Sequence, residues 1–212
     1  MVTYLETQVG AIVRRLRDLG LAERTLVIFS SDNGPEKKEF AGYDAAFFRS
    51  AGGFRGFKRD HTDGGIRVPF IARWPGRIAP GTVSARVGSF ADFLPTALDA
   101  AGLETPAGLD GASLLPTLLG RLGAPPPRRD LYWEYHGAGS SQAVLLDGRW
   151  KGLRSGRRDA PVELYDLAAD PGEMRNVAAD HPERVRRVEG LFVSARTEDS
   201  NWPLRDEPRP AP

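Results

Sequence analysis

The sequence of 212 residues contains no cysteine. That excludes disulfides, a thiolate zinc site and a thiol nucleophile, and leaves the redox compartment open. It also lacks any apolar run near the about 18 residues needed to cross a bilayer. Excess charge of one sign is missing too: 29 Lys and Arg stand against 28 Asp and Glu, a net charge of +1. A broad nucleic-acid or acidic-lipid surface is therefore not expected, and partners have to be argued from local features. What is present is ordinary globular material, 41% hydrophobic and 27% charged, in a chain long enough to bury a core.

The first twenty residues lack the basic start, apolar core and small-residue cleavage site of an export signal. Leu5, Val9, Ile12, Val13, Leu16 and Leu19 instead recur at steps of three and four, which predicts an amphipathic helix stopped by Gly20. A short loop leads to TLVIFSS, a continuous apolar segment that reads as a strand buried on both faces. Residues 35–63 have no steady period and read as a long loop. IRVPFIARW, 66–74, reads as a second buried strand, with Pro69 marking an edge or bulge. Asp92 is placed to cap a helix ending at Gly102, and SLLPTLLG makes another short helix. Beyond the connector GAPPPRRD the pattern shifts to LYWEY, QAVLLDG, RWKGLRS and VELYDL, short alternating segments that predict a small antiparallel sheet. Asp180 and Glu183 have capping-box spacing ahead of a closing helix with an apolar face of Val185, Val188, Leu191, Phe192 and Ala195. These shifts divide the chain into 1–127, an α/β part, 128–204, a small α+β subdomain, and 205–212, a tail expected to be disordered.

Asp32 and Asn33 stand at the carboxyl end of the first strand, where α/β sheets gather ligands. Their side chains are hard oxygen donors suited to Ca²⁺ or Mg²⁺. The competing reading is an Asn-Gly turn, although PEKKEF does not alternate as the partner strand of a hairpin. In GGFRGFKRDHTDGGIRVP, glycines let the backbone approach an anion and Lys58 offers a compact charge, while a solvated basic loop is the plainer alternative. Arg55, Arg59 and Arg67 read as surface or packing residues. His61, close to Lys58 in sequence, and His136, at a strand end, are candidate substrate contacts or ordinary loop histidines. His181 reads as structural, and Trp133, Trp150 and Tyr165 as core.

SSDNGP, FFRSAGGFRGFKRDHTDGGIRVPFIARWPGRI, DFLPTALDAAG, DGASLLPTLLG, LYWEY, RWKGLR and ELYDLAADPGEMRNVA occur in an order and spacing that resembles the C-terminal half of arylsulfatase-type sulfatases, in the alkaline-phosphatase superfamily. The resemblance covers almost the whole chain. It implies an α/β fold: a partial sulfatase-like parallel or mixed sheet with flanking helices, then a small antiparallel sheet packed by a C-terminal helix. It implies that Asp32 and Asn33 are ligands of a divalent cation, usually Ca²⁺, and that Lys58 contacts the sulfate. Asp63 stands where the family more often has Glu, and is not expected to be catalytic.

Family members use a formylglycine made from Cys or Ser in C/S-x-P-x-R, and this chain encodes no such motif. The expectation is a sulfuric ester hydrolase whose nucleophile lies outside this chain, which alone is inactive. A separate N-terminal half is an expected partner, and a sulfated small molecule or carbohydrate the expected substrate. The alternatives are a degenerate module that binds an anion, a metal or a partner, and a phosphoester or phosphonate hydrolase, which the Asn at position 33 disfavours. By family resemblance the location is periplasmic or extracellular.

Overall fold

The computed structural model describes residues 2–37, 42–121, 129–137 and 139–206. In chain order these form α1 (Val2–Asp18), β1 (Val27–Ser30), α2 (Asp63–Ile66), β2 (Phe70–Arg73), α3 (Phe93–Ala101), α4 (Leu115–Leu118), β3 (Leu131–Gly137), β4 (Gly139–Leu146), β5 (Trp150–Arg154), β6 (Glu163–Asp166) and α5 (Pro182–Ser194). The chain groups into two compact units, Met1–Ser30 with Pro69–Pro126, and Ser31–Val68 with Pro127–Pro212. Most of the connector GAPPPRRD lies outside the described residues.

In the first unit α1 closes as its sequence predicts. Gly20 adopts a left-handed φ of 67°, and the amides of Gly20 and Leu21 donate to Arg17 and Leu16 carbonyls at 2.9 and 2.8 Å. This pair of bonds satisfies carbonyls that the last turn leaves open. Val9, Val13 and Leu16 are half-buried, but Leu5, Ile12 and Leu19 are exposed. β1 and β2 pair antiparallel, with Val27 opposite Arg73 and Ser30 opposite Phe70.

Two strand expectations need correction. The first segment is half-buried along its length rather than buried on both faces, and Phe70 and Ile71 of the second are exposed. Among the described residues each has one partner strand, so neither is sandwiched. The second strand is also shorter than 66–74: Ile66 ends α2, and pairing begins only after Pro69, which has no amide to donate.

Asp92 precedes α3 and is buried. Its carboxylate accepts from the Ser89 and Ala112 amides at 2.8 and 2.7 Å, while Thr96 Oγ1 accepts from the Leu114 amide at 2.8 Å. Contrary to the expected cap, the Asp92 side chain makes no cap bond to α3; it closes a capping box with Ser89 on the preceding 3₁₀ turn and, through Ala112, ties that turn to the segment leading into α4. Gly102, with φ 70°, ends the helix.

The second unit contains the expected antiparallel sheet, in the order β3-β4-β5-β6. Alternation separates its faces. Val144, Leu146, Trp150 and Leu164 pack with Val188 and Phe192 of α5, while Ala143, Leu153 and Tyr165 form a second cluster with Trp133. Burying each of the larger side chains contributes roughly 1.5–3 kcal/mol before entropy is counted. α5 begins differently from the capping-box expectation. A short 3₁₀ turn, Ala178–Asp180, makes His181 the cap residue, with no side-chain cap bond, and His181 packs edge-on to Trp150 at 4.7 Å. Of the tail, Arg205 is tied to Ser140 by two hydrogen bonds and Asp206 accepts from the Arg158 amide. Residues 207–212 lie outside the described residues.

Candidate active site

The candidate residues on either side of the glycine-rich loop are joined through the backbone of the second unit. The Gly34 amide donates to Gly65 O, and the Lys58 amide to Pro35 O, each at 2.8 Å. The segments that carry Asp32, Asn33 and Lys58 are therefore adjacent. His61 follows on the same loop.

Glycine is required at this crossing because of crowding. A Cβ on Gly34 would lie 1.9 Å from Gly64 O, one on Gly64 2.1 Å from Gly56 O, and one on Gly65 2.1 Å from Asp60 O. Gly34 is absent from the left-handed glycines, so its role is close packing rather than the positive φ of an Asn-Gly hairpin turn.

Ser31 Oγ donates to Asn33 O at 2.9 Å, and Asn33 Nδ2 donates to Gly34 O at 2.8 Å, fixing the amide so that Oδ1 is its free donor atom. Asp32 is exposed, and its carboxylate has no hydrogen bond or ion pair among the described residues. An open carboxylate next to an open amide oxygen suits a hard cation such as Ca²⁺. Two donors are a partial set, and among the described residues no group of three or more His, Cys, Asp or Glu gathers in a metal-holding arrangement.

Asp63 has a different environment. Its Oδ1 lies 2.6 Å from Lys151 Nζ, its Oδ2 accepts from Arg67 at 3.1 Å, and its amide donates to Glu173 Oε2 at 2.7 Å. Glu173 Oε1 is 3.4 Å from Lys151 Nζ, within ion-pair contact but without hydrogen-bond geometry. Burial pushes the Glu173 carboxyl up, and the Lys151 charge opposes that shift. These groups anchor the α2 turn, which carries Gly64 and Gly65 under the SDNGP segment. Sequence reasoning did not single out Lys151 or Glu173. A lysine between Trp150 and Leu153 in a strand facing the core was the available signal.

The two histidines part company. His61 lines a cavity, with Nδ1 3.2 Å from Ser141 Oγ, and burial, aided by the Lys151 charge, pushes it down to about 4. His136 does not line that cavity. Its Nε2 is 3.0 Å from Glu134 Oε1, and its ring lies 5.9 Å from that of Trp202. Glu134 also accepts from Tyr132 and Arg196 at 2.6 and 2.8 Å. Burial tends to raise the Glu134 carboxyl, but the three bonded donors hold it below its ordinary value.

Two family models match this chain: Sulfatase over residues 1–103, and N-sulphoglucosamine sulphohydrolase, C-terminal, over residues 53–189. The chain belongs to the sulfatase family. The N-acetylgalactosamine-6-O-sulfatase of Bacteroides thetaiotaomicron is 34% identical, covering 93% of this chain and 41% of that protein. Homo sapiens arylsulfatase A is also 34% identical, over 88% of this chain and 41% of its own. A solved protein in complex with its substrate D-glucosamine-2-N,6-O-disulfate shares the fold, with a TM-score of 0.72 and 25% identity over 92% of this chain and 38% of that one. This sulfatase chain therefore spans well under half the length of these relatives. Among its described residues no helix is long and apolar enough to cross a membrane.

Proposed function

We propose that this sulfatase chain supplies part of the active site of a sulfuric ester hydrolase acting on a sulfated sugar. The observation that supports the reading is the pair of backbone bonds, Gly34 to Gly65 and Lys58 to Pro35, that joins the segment bearing two unpartnered oxygen donors to the loop bearing the lysine. Sugar sulfates are named for two of the relatives and an aryl sulfate for a third at the same 34% identity, and the sugar is the class put to the test here.

Asp32 and Asn33 would hold a divalent cation, most simply Ca²⁺, as part of a larger donor set. When bound, the cation supplies positive charge against the sulfate oxygens. Lys58 directs its ammonium at the sulfate ester, where cleavage of the S–O bond places negative charge on the departing sugar oxygen. The glycine crossing fixes the backbone on which these groups stand, so little reorganisation accompanies the charge shift. The formylglycine belongs to a polypeptide carrying C/S-x-P-x-R, and this chain alone does not turn over substrate.

The test is complementation. The chain is co-expressed with a sulfatase N-terminal segment carrying the matured motif, and sulfate release from 6-sulfated N-acetylgalactosamine is measured. Turnover by the pair, falling about 10²–10³-fold on Lys58→Ala, is expected. Hydrolysis by the 212-residue chain alone, or turnover indifferent to Lys58→Ala, overturns the assignment.

A further inference from the structure

The second unit contains a cavity of about 470 Å³, the size of a small-molecule site. One wall is the loop that carries Lys58: Gly56 and Arg59 line the cavity, although Lys58 itself does not. Further lining comes from the ends of the sheet, with Tyr135 and Gly137 of β3, Ser141 of β4, and Ser155 just after β5.

Its charges are already spoken for. Arg55 Nη1 donates to Tyr165 Oη and Glu173 O at 2.8 and 2.7 Å, and its Nη2 lies 3.8 Å from Glu163. Arg59 pairs with Glu36 at 3.1 Å, and Asp60 accepts the Phe57 amide at 2.9 Å. Two arginines stand against the carboxylates of Asp60 and Glu163, and His61 is neutral near pH 7. A second sulfate placed here would find no uncommitted cation to offset its desolvation.

Neutral hydrogen-bonding capacity remains. Thr62 is 6% exposed, and its hydroxyl has no partner among the described residues, an arrangement that costs free energy unless something pairs with it. Ser141 and Ser155 add hydroxyls, and Tyr135 presents a ring that is 38% exposed. That ring lies against Gly137, where a Cβ would come within 2.4 Å of it. A flat aromatic face beside hydroxyl groups suits a ring with one apolar side and a polar rim.

We propose that this cavity binds an unsulfated sugar residue next to the one whose sulfate Lys58 contacts. The placement beside Lys58 rests on the sulfatase reading above. The preference for a neutral, hydroxyl-rich ring rests on the cavity's own residues.

The experiment is an NMR titration of the ¹⁵N-labelled 212-residue chain with methyl glycosides of galactose, glucose and N-acetylgalactosamine, alongside the 6-sulfate of the last. Expected is saturable binding of at least one neutral glycoside that shifts the amides of Gly56, Thr62, Gly137 and Ser141. Tyr135→Ala should weaken that binding roughly tenfold and Thr62→Val roughly threefold. Tyr135 is already partly exposed and Thr62→Val keeps the side-chain shape, so both variants should fold, as unchanged spectra away from the cavity would show.

Absence of binding by every neutral glycoside, or binding indifferent to both variants, overturns the proposal. Should only the sulfated glycoside bind, and only at amides around Asp32 and Lys58, the cavity proposal fails while the sulfatase reading stands. Neutral binding in the cavity, with no response of Lys58 to the sulfated sugar, supports the cavity and counts against that reading.

Discussion

Lys151 Nζ lies 2.6 Å from Asp63 Oδ1, both side chains almost fully removed from solvent. The pair links β5 to the α2 turn, and Glu173 completes the link by accepting the Asp63 amide. Gly65, two residues after Asp63, accepts the Gly34 amide, so a charge buried under the sheet is mechanically connected to the segment bearing Asp32 and Asn33. Arg67 adds a second cation, bringing the cluster to two positive and two negative groups.

Removing one member of such a cluster leaves an uncompensated charge. Lys151→Met is expected to destabilise the second unit by about 3–5 kcal/mol, read as a lowered urea midpoint with unchanged slope. The comparison is Arg157→Met, which breaks the exposed pair with Asp159 and should leave the midpoint where it was. Equal midpoints for the two variants would show that the buried cluster is not the anchor described.

Gly34→Ala tests the crossing itself. With Gly64 O only 1.9 Å from the new methyl carbon, the SDNGP segment has to move off the loop, breaking the bond from the Gly34 amide to Gly65. A loss of roughly 1–3 kcal/mol is expected from the overpacking. Faster hydrogen exchange at the Gly34 and Lys58 amides should accompany it. Alanine at Gly20 is the useful contrast, because its strain arises from φ alone and nothing lies near its Cβ; exchange at Gly34 should then be unaltered.

His61 gives a pH signature whose sign follows from its surroundings. Burial, and secondarily Lys151, lower its folded value to about 4, against about 6.5 in the unfolded chain. Between those values the unfolded state binds more protons, so stability rises with pH from about 4 to about 6.5 and is lost as the pH falls through the same window. The full span is worth at most about 3 kcal/mol. His61→Asn should flatten that part of the curve in urea titrations at successive pH values. An unchanged slope would falsify the neutral, half-buried assignment.

Local pattern was enough for the small sheet, the closing helix and the glycine stops, because alternation, heptad-like spacing and turn residues act over a few neighbours. Gly20 and Gly102 behave as read, with left-handed φ and the expected carbonyl bonds. The errors occur where burial depends on distant chain. TLVIFSS has a continuous apolar centre, yet among the described residues β1 has a single partner strand and remains half-buried. The Asp180–Glu183 spacing was sound locally but lost to the 3₁₀ turn that makes His181 the cap residue. At the candidate site, motif resemblance singled out Asp32, Asn33 and Lys58, and backbone bonds bring the segments that carry them together. Lys151 and Glu173 were not, since their role lies in contacts spanning 88 and 110 residues of sequence.

The last prediction concerns the cation. Asp32 and Asn33 present two oxygen donors, whereas Ca²⁺ takes roughly six to eight. The 212-residue chain should therefore bind Ca²⁺ only weakly, with Kd on the order of 1 mM, in a calorimetric titration. Asp32→Ala removes the charged donor and should abolish the measurable heat. Because Asp32 is exposed and has no bonded partner among the described residues, the same change should leave the urea midpoint unaltered. That combination separates a ligand from a structural residue. Lost binding with a lowered midpoint would make Asp32 part of the scaffold, and Ca²⁺ binding that survives Asp32→Ala would place the cation elsewhere. Complementation with the N-terminal segment should then tighten binding in the presence of Asp32 and not in its absence, since only the intact chain contributes the missing carboxylate to the shared site.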